Sequence, residues 1–334
     1  MSDLDAQIHD AAQRLAKGQL VAFPTETVYG LGADASNPEA VAAIFAAKGR
    51  PSNHPVIVHV APQADLSYWV SDIPKEAQQL MDAFWPGPLT LILPRSVQAL
   101  AAVSGGQDTI GIRCPSHPVA QAMLKAFEQI KGPGAGVAAP SANRFGQVSP
   151  TQAQHVRDEF PDVDSSELYV LSGGSSDVGI ESTIVDVSRL AQGVAPVVLR
   201  PGHITATQIA EVLQRDLGHQ QAENTPRVSG SLKAHYAPRT PLFLLSAEQI
   251  SVLPAGNVVA VSFEGLAPVG VHNYQAPPTP THYASQLYAM LRSLDQQGYK
   301  AIYVQRPPQT PDWDAVNDRL GRAAAAFELD TDIT

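Results

Sequence analysis

Three polar clusters carry the chemistry visible in this chain: FPTETVYGLG at Phe23 to Gly32, KGR at Lys48 to Arg50, and PSAN at Pro140 to Asn143. The first runs from an apolar entry, Leu20 to Phe23, into Pro24, two threonines, a carboxylate and two glycines. That order predicts a strand ending in a binding loop, where glycine lets backbone approach a ligand. The second sets two cations on either side of a glycine. The third brings a hydroxyl and an amide together after small residues. Hydroxyls, cations and an amide, with no evident nucleophile, describe a site for an anionic nucleotide and a small polar substrate.

Each of these residues also has an ordinary use. Lys48 and Arg50 close a helical run, where cations complement the helix dipole. Yet Pro51 follows at once, and His54-Pro55 leads into a strand bearing His59, so the pair sits where a polyphosphate fits. Thr27 is a normal turn residue, and Ser141-Ala142-Asn143 is normal turn chemistry. A strand histidine such as His59 suits a hydrogen-bonded core position. Arg113, before Cys114-Pro115, suits a sheet edge. Cys114 reads as a small buried hydrophobe rather than an activated thiol.

Several signatures are missing. There is no G-x-x-x-x-G-K-[ST] loop, H-E-x-x-H pair or G-x-S-x-G elbow, and Gly30 and Gly32 lack the third glycine of a dinucleotide fingerprint. The ten histidines show no zinc spacing, and a single cysteine excludes an internal disulfide framework.

The elements that must position these residues follow from hydrophobic periodicity. Asp3 to Lys17 predicts a helix, with Leu4, Ile8, Ala11, Ala12 and Leu15 at helical spacing. Asn37-Pro38 opens a second helix that ends at Lys48. Strands are expected at Leu20–Phe23, Pro55–Val60, Leu89–Leu93, Thr109–Ile112, Val137–Ala139, Leu168–Leu171, Ile184–Val187 and Val197–Leu199. The alternation predicts an α/β domain with a mixed twisted sheet over residues 1–218. Residues 219–240 are polar and read as an interdomain linker, though Lys233, His235 and Tyr236 are unusual for a spacer. From residue 241 to 334 the pattern restarts, with strands at Leu242–Leu245, Val258–Val261 and Ala301–Val304 and helices at His282–Gln297 and Trp313–Phe327.

The chain has 334 residues, which fits two domains, and a net charge of −10 with both sides of Gly218 acidic. An acidic balance with 6% aromatic residues is no nucleic-acid platform. No apolar run is long enough to span a membrane, and the acidic start MSDLDAQIHD is unlike a signal peptide. A cytoplasmic protein is expected.

Together with Glu181-Ser182-Thr183, Arg200-Pro201-Gly202 and the HYAP at His235 to Pro238, the three clusters resemble the Sua5/YrdC family, the threonylcarbamoyl-AMP synthases, in the long form with a C-terminal Sua5 domain. The resemblance implies a YrdC-like twisted mixed sheet with helices, and a smaller C-terminal Rossmann-like α/β domain. It implies synthesis of L-threonylcarbamoyladenylate from L-threonine, bicarbonate and ATP, with Mg2+ accompanying the ATP and no protein metal site, serving the threonylcarbamoyl modification of adenosine 37 in tRNA. By the same resemblance Lys48 and Arg50 act on the phosphates. Thr27, His59, Arg113, Ala139 and Ser182 hold threonine. Arg50, His54, Thr109, Ser141, Asn143, Ser149, Arg200, Ser229 and Tyr236 hold ATP, Tyr236 as part of a lid. His54 stands where the family often has asparagine, and SGSLKAHYAP lacks the family's proline in that run. The implied partners are the substrates, with tRNA or tRNA-modification proteins as candidates, and no membrane. Two other classes fit parts of the pattern: an RNA-binding module, and a carbamoyl-phosphate-dependent adenylating domain, which normally accompanies zinc-finger modules that this chain lacks.

Overall fold

A computed structural model of the chain describes residues 3–219, 225–265 and 267–328. They form two compact units, Met1–Phe145 with Pro150–Ser231, and Gly146–Ser149 with Leu232–Thr334. The expected linker is thus divided after Ser231, and its residues 220–224 lie outside the described ones.

In the first unit the chain order is α1 (Asp3–Ala16), β1 (Leu20–Phe23), β2 (Gly30–Asp34), α2 (Pro38–Lys48), β3 (Val58–Val60), α3 (Lys75–Phe84), β4 (Leu89–Pro94), β5 (Thr109–Arg113), α4 (Pro118–Lys131), β6 (Gly136–Ala138), α5 (Ala153–Glu159), β7 (Leu168–Val170), β8 (Thr183–Asp186), β9 (Val197–Arg200) and α6 (Ala206–Leu213). The nine strands make one mixed sheet in the order β7-β1-β2-β6-β3-β5-β4-β8-β9. Two apolar layers flank it. One joins α2 to the sheet through Leu31, Ile44, Val58, Leu91 and Ile112. The other joins α1 and α4 through Ile8, Leu15, Val21, Phe23, Met123, Phe127 and Val137.

Helix α2 shows how sequence places a site residue. Asn37 accepts hydrogen bonds from the amides of Glu39 (3.0 Å) and Ala40 (3.1 Å), Pro38 opens the first turn, and Gly49 closes the helix at φ 62°. Capping by asparagine, proline and glycine fixes both ends. Lys48 is therefore held in the last turn and Arg50 just beyond the cap.

Strand β2 differs from the expected loop. Gly30–Asp34 is buried throughout and pairs antiparallel with β1, Val21 opposite Gly32. A Cβ at Gly32 would lie 2.9 Å from both Phe23 Cε1 and Val137 Cγ1. Close packing between β1 and β6 calls for that glycine. The binding loop is shorter than expected and spans residues 24–29. Strand β3 begins at Val58 rather than Pro55, since proline lacks the amide a ladder needs.

The second unit contains β10 (Leu242–Leu245), α7 (Ala247–Ser251), β11 (Val259–Ser262), β12 (His272–Gln275), α8 (Pro280–Asp295), β13 (Ile302–Gln305) and α9 (Asp314–Ala325). Its sheet is wholly parallel, in the order β10-β13-β11-β12, as a Rossmann-like unit requires. Tyr236 is buried here at φ 62°, its ring 5.7 Å from that of Tyr288 and 5.3 Å from the Arg319 guanidinium. The short segment Gly146–Ser149 belongs to this unit. The Ala237 amide donates to the Gly146 carbonyl (2.9 Å), and Arg292 donates to the carbonyls of Val148 and Ser149.

Candidate active site

The first unit gathers most of the expected residues at and around the strands β3, β5, β4, β8 and β9. His59 lies opposite Arg113 on the parallel pair β3–β5, and opposite Val137 on β6. Farther across the sheet, Thr90 pairs with Ile184, and Ile184 with Arg200. Buried Thr90 and Ser182 are joined hydroxyl to hydroxyl at 2.7 Å, and Arg200 Nη2 donates to Ser182 Oγ at 3.1 Å. Ala139 follows β6, its amide bonded to the Ile57 carbonyl at 3.0 Å.

Arg113 is buried and surrounded by acceptors. Its Nη1 donates to Thr27 Oγ1 (2.8 Å), its Nε to the Gly87 carbonyl (3.3 Å), and its Nη2 forms an ion pair with Glu26 Oε1 (2.6 Å). Thr27 is fixed in turn by Thr25, whose Oγ1 lies 2.8 Å from Thr27 Oγ1 and donates to the Val28 carbonyl at 2.6 Å. Beside this arginine, His59 is held neutral. Burial, and then the Arg113 charge, push its pKa down to about 3.

The cationic side is built on the loop after β6. Lys48 Nζ donates to the carbonyls of Ser141 (2.6 Å) and Asn143 (2.5 Å), and the Lys48 carbonyl accepts from the Phe145 amide (2.9 Å). Burial, and then the neighbouring Arg50, hold the Lys48 pKa well below that of an ordinary lysine. Arg50 donates to the Pro55 carbonyl at 2.8 Å and lies over the Phe145 ring, against which the His54 ring also packs at 5.5 Å. Burial, and then Arg50 and Arg227, lower the His54 pKa, so it presents a neutral ring to the cationic cluster. Thr109 and Ser229 line one small groove with Gln107, Ile184 and Arg227, and Arg200 Nη1 donates to the Ser229 carbonyl (2.9 Å).

The Arg113 cluster and the Lys48 cluster are joined by the first loop. Gly30 forms a bridge with Ser141, and the Tyr29 carbonyl accepts from the Ala142 amide at 2.8 Å. Thr27, within that loop, reaches Arg113. Gly30, the first residue of β2 after it, reaches the residues gripped by Lys48. Ser149 and Tyr236 lie in the second unit.

Two residues escaped the sequence reading. Glu26 stands inside the quoted motif, but its tie to Arg113 is visible only once the fold brings the two together. Arg227 lies in the polar stretch read as linker, yet it is tied to the first unit through Gln107 and the Gly105 carbonyl. Cys114 is a buried free thiol whose pKa is pushed up to about 11, first by burial, in keeping with a packing role. Among the described residues no three His, Cys, Asp or Glu side chains come together as a metal site.

A mixed α/β sheet that sets cations around a polar loop, beside a buried arginine and hydroxyls, defines a class: an α/β protein whose first unit groups buried cations and hydroxyls about one loop. Comparison makes this more specific. Residues 13–202 match a Sua5–YciO–YrdC family model described as telomere recombination, and residues 204–325 match the threonylcarbamoyl-AMP synthase C-terminal domain. The chain is 39% identical to the threonylcarbamoyl-AMP synthase of Bacillus subtilis, over 97% of this chain and 94% of that one. It is 35% identical to that of Pyrococcus abyssi, over 95% and 94%. The crystal structure of P. abyssi Sua5 complexed with L-threonine superimposes with a TM-score of 0.84, covering 96% of this chain and 94% of that chain at 32% identity. The chain belongs to the Sua5/YrdC family, in its long two-domain form.

Proposed function

We infer that the chain is a threonylcarbamoyl-AMP synthase, converting L-threonine, bicarbonate and ATP into L-threonylcarbamoyladenylate, pyrophosphate and water. The observation that carries this reading is the junction made by one short loop. Thr27 accepts from Arg113, while Gly30 bridges to Ser141, whose carbonyl Lys48 holds. A carboxylate-binding fork and a phosphate-binding cation are thereby fixed on the same short stretch of backbone.

In this reading Arg113 and Thr27 receive the threonine carboxylate, and the Thr90–Ser182 hydroxyl pair receives the threonine side chain. Neutral His59 and the small Ala139 shape the pocket wall. The threonine amine condenses with bicarbonate to give a carbamate and water. A carbamate oxygen then attacks the α-phosphate, and pyrophosphate leaves. Lys48, Arg50 and Arg200 offset the charge that develops on the phosphates, and the fixed loop supplies orientation. His54, Thr109, Ser141, Asn143, Ser149, Ser229 and Tyr236 are assigned to the nucleotide. No covalent enzyme intermediate is needed. Mg2+ arrives as part of the ATP substrate, on its phosphate oxygens. The product is a mixed anhydride, suited to passing its threonylcarbamoyl group to adenosine 37 of tRNA, and the assigned compartment is the cytoplasm. Among the described residues no helix is long and apolar enough to cross a membrane.

The test is product identity. Incubation with ATP, L-threonine and labelled bicarbonate should give a labelled threonine–carbonyl–AMP adduct by mass spectrometry. Formation of unlabelled AMP or ADP alone would contradict the reading.

A further inference from the structure

The Arg113–Glu26 pair contains an imbalance that the assignments above leave unexplained. Glu26 is 5% exposed, and its Oε1 faces Arg113 at 2.6 Å. Neither carboxylate oxygen accepts a hydrogen bond, and Oε1 alone lies at ion-pair distance from the guanidinium. A carboxylate oxygen left so is costly, and folded proteins rarely keep one without a purpose. The arginine is not exhausted by its protein partners. Hydrogen bonds to Thr27 and Gly87 take two of the five N–H donors of the guanidinium, and Nη2 lies beside Glu26 without a hydrogen bond, so donors remain for a ligand carboxylate.

Charge counting gives the ligand's nature. Arg113 and Glu26 cancel. His59, across the β3–β5 rung, is neutral, and Cys114, the next residue along, is a protonated thiol. Immediately around Arg113 these fixed charges sum to zero, with the Arg200 cation lying by the Ser182 hydroxyl, and such a balance favours a ligand whose own charges cancel there, because an uncompensated buried charge is heavily penalised. A carboxylate alone would add an unmatched negative charge. A zwitterion brings its own positive charge.

We propose that Glu26 is a specificity-determining residue: Oε2 accepts the α-amino group of the substrate while Arg113 holds its carboxylate, so the pair selects an amino acid over a simple hydroxy acid. The proposal rests on the threonine reading above and deepens it. The family motif supplies the residue, but the role follows from the unpartnered oxygen and the charge balance.

Calorimetric binding to the full chain tests it, with two probes that differ only in the amine: L-threonine and (R)-3-hydroxybutyrate. The wild type should bind threonine at least about tenfold more tightly, the scale of one charge-assisted hydrogen bond. Glu26→Gln keeps the shape and removes the charge. It should weaken threonine by about tenfold while changing 3-hydroxybutyrate by no more than about twofold, so that the preference collapses. Glu26→Asp should recover part of it. Equal weakening of both probes would make Glu26 a mere support for Arg113 and overturn the proposal, as would an unchanged preference. If Glu26→Gln does not fold, the wild type alone decides, since equal affinity for the two probes also overturns it. A wild type that binds no threonine would instead bring down the threonine reading itself.

Discussion

Lys48 is the residue on which the proposed phosphate chemistry turns. Its ammonium is already desolvated and aimed at two carbonyls of the Ser141–Asn143 loop. Burial and then Arg50 lower its pKa against the opposing pull of Glu159 and Glu181, and an arriving polyphosphate adds negative charge that favours the ammonium form. Lys48→Ala should therefore lower kcat by about 10²–10³-fold, the usual scale for losing one preorganised donor, with the threonine dissociation constant changed by less than about twofold. Steady-state kinetics with parallel threonine titration check it, and an unchanged kcat would remove Lys48 from the mechanism. His59 makes a prediction of a different kind. Its pKa is about 3 in the folded chain against 6.5 for a free histidine, so between these values the unfolded chain binds the extra proton. The stability due to neutral His59 is complete above pH 6.5 and falls as pH drops toward 3. By pH 5 the loss is about 2 kcal/mol from this residue alone. Thermal melts from pH 7 to pH 5 should fall less steeply for His59→Gln than for the wild type, and parallel curves would contradict this.

At the scale of elements, Gly32 links the motif to the sheet. Its missing side chain lets β1 and β6 close on β2, with Phe23 and Val137 each 2.9 Å from where a Cβ would be. Gly32→Ala should overpack this seam and destabilise the chain by about 1–3 kcal/mol, read as a lower denaturant midpoint. An unchanged midpoint would mean that the strands yield at no cost. The same glycine explains where sequence reading stops. The Asn37-Pro38 signal and the helical run ending at Lys48 placed α2 correctly, because capping is local chemistry. Alternating glycines look like a loop by propensity, so β2 was invisible until its neighbours were known. Strand β12, HNYQ, is mostly exposed and carries no apolar pattern. Only pairing with β11 makes it a strand. In the site, the cations and hydroxyls were legible by type. Glu26 and Arg227 were not, because their roles depend on partners about 90 and 120 residues away in sequence, respectively.

At the scale of the whole molecule, the two compact units do not follow the simple order of the chain. Gly146–Ser149, lying between two stretches of the first unit, is held in the second by Ala237 and Arg292, while residues 225–231 of the expected linker stay with the first. A net charge of −10 gives the molecule no general attraction for RNA, which fits an enzyme that completes its chemistry on small molecules before any tRNA is involved. The proposed reaction joins three small substrates on this chain alone. Pyrophosphate release from ATP, with threonine and bicarbonate omitted in turn and no RNA present, tests it. Release should require both. Release that continues without threonine would contradict it.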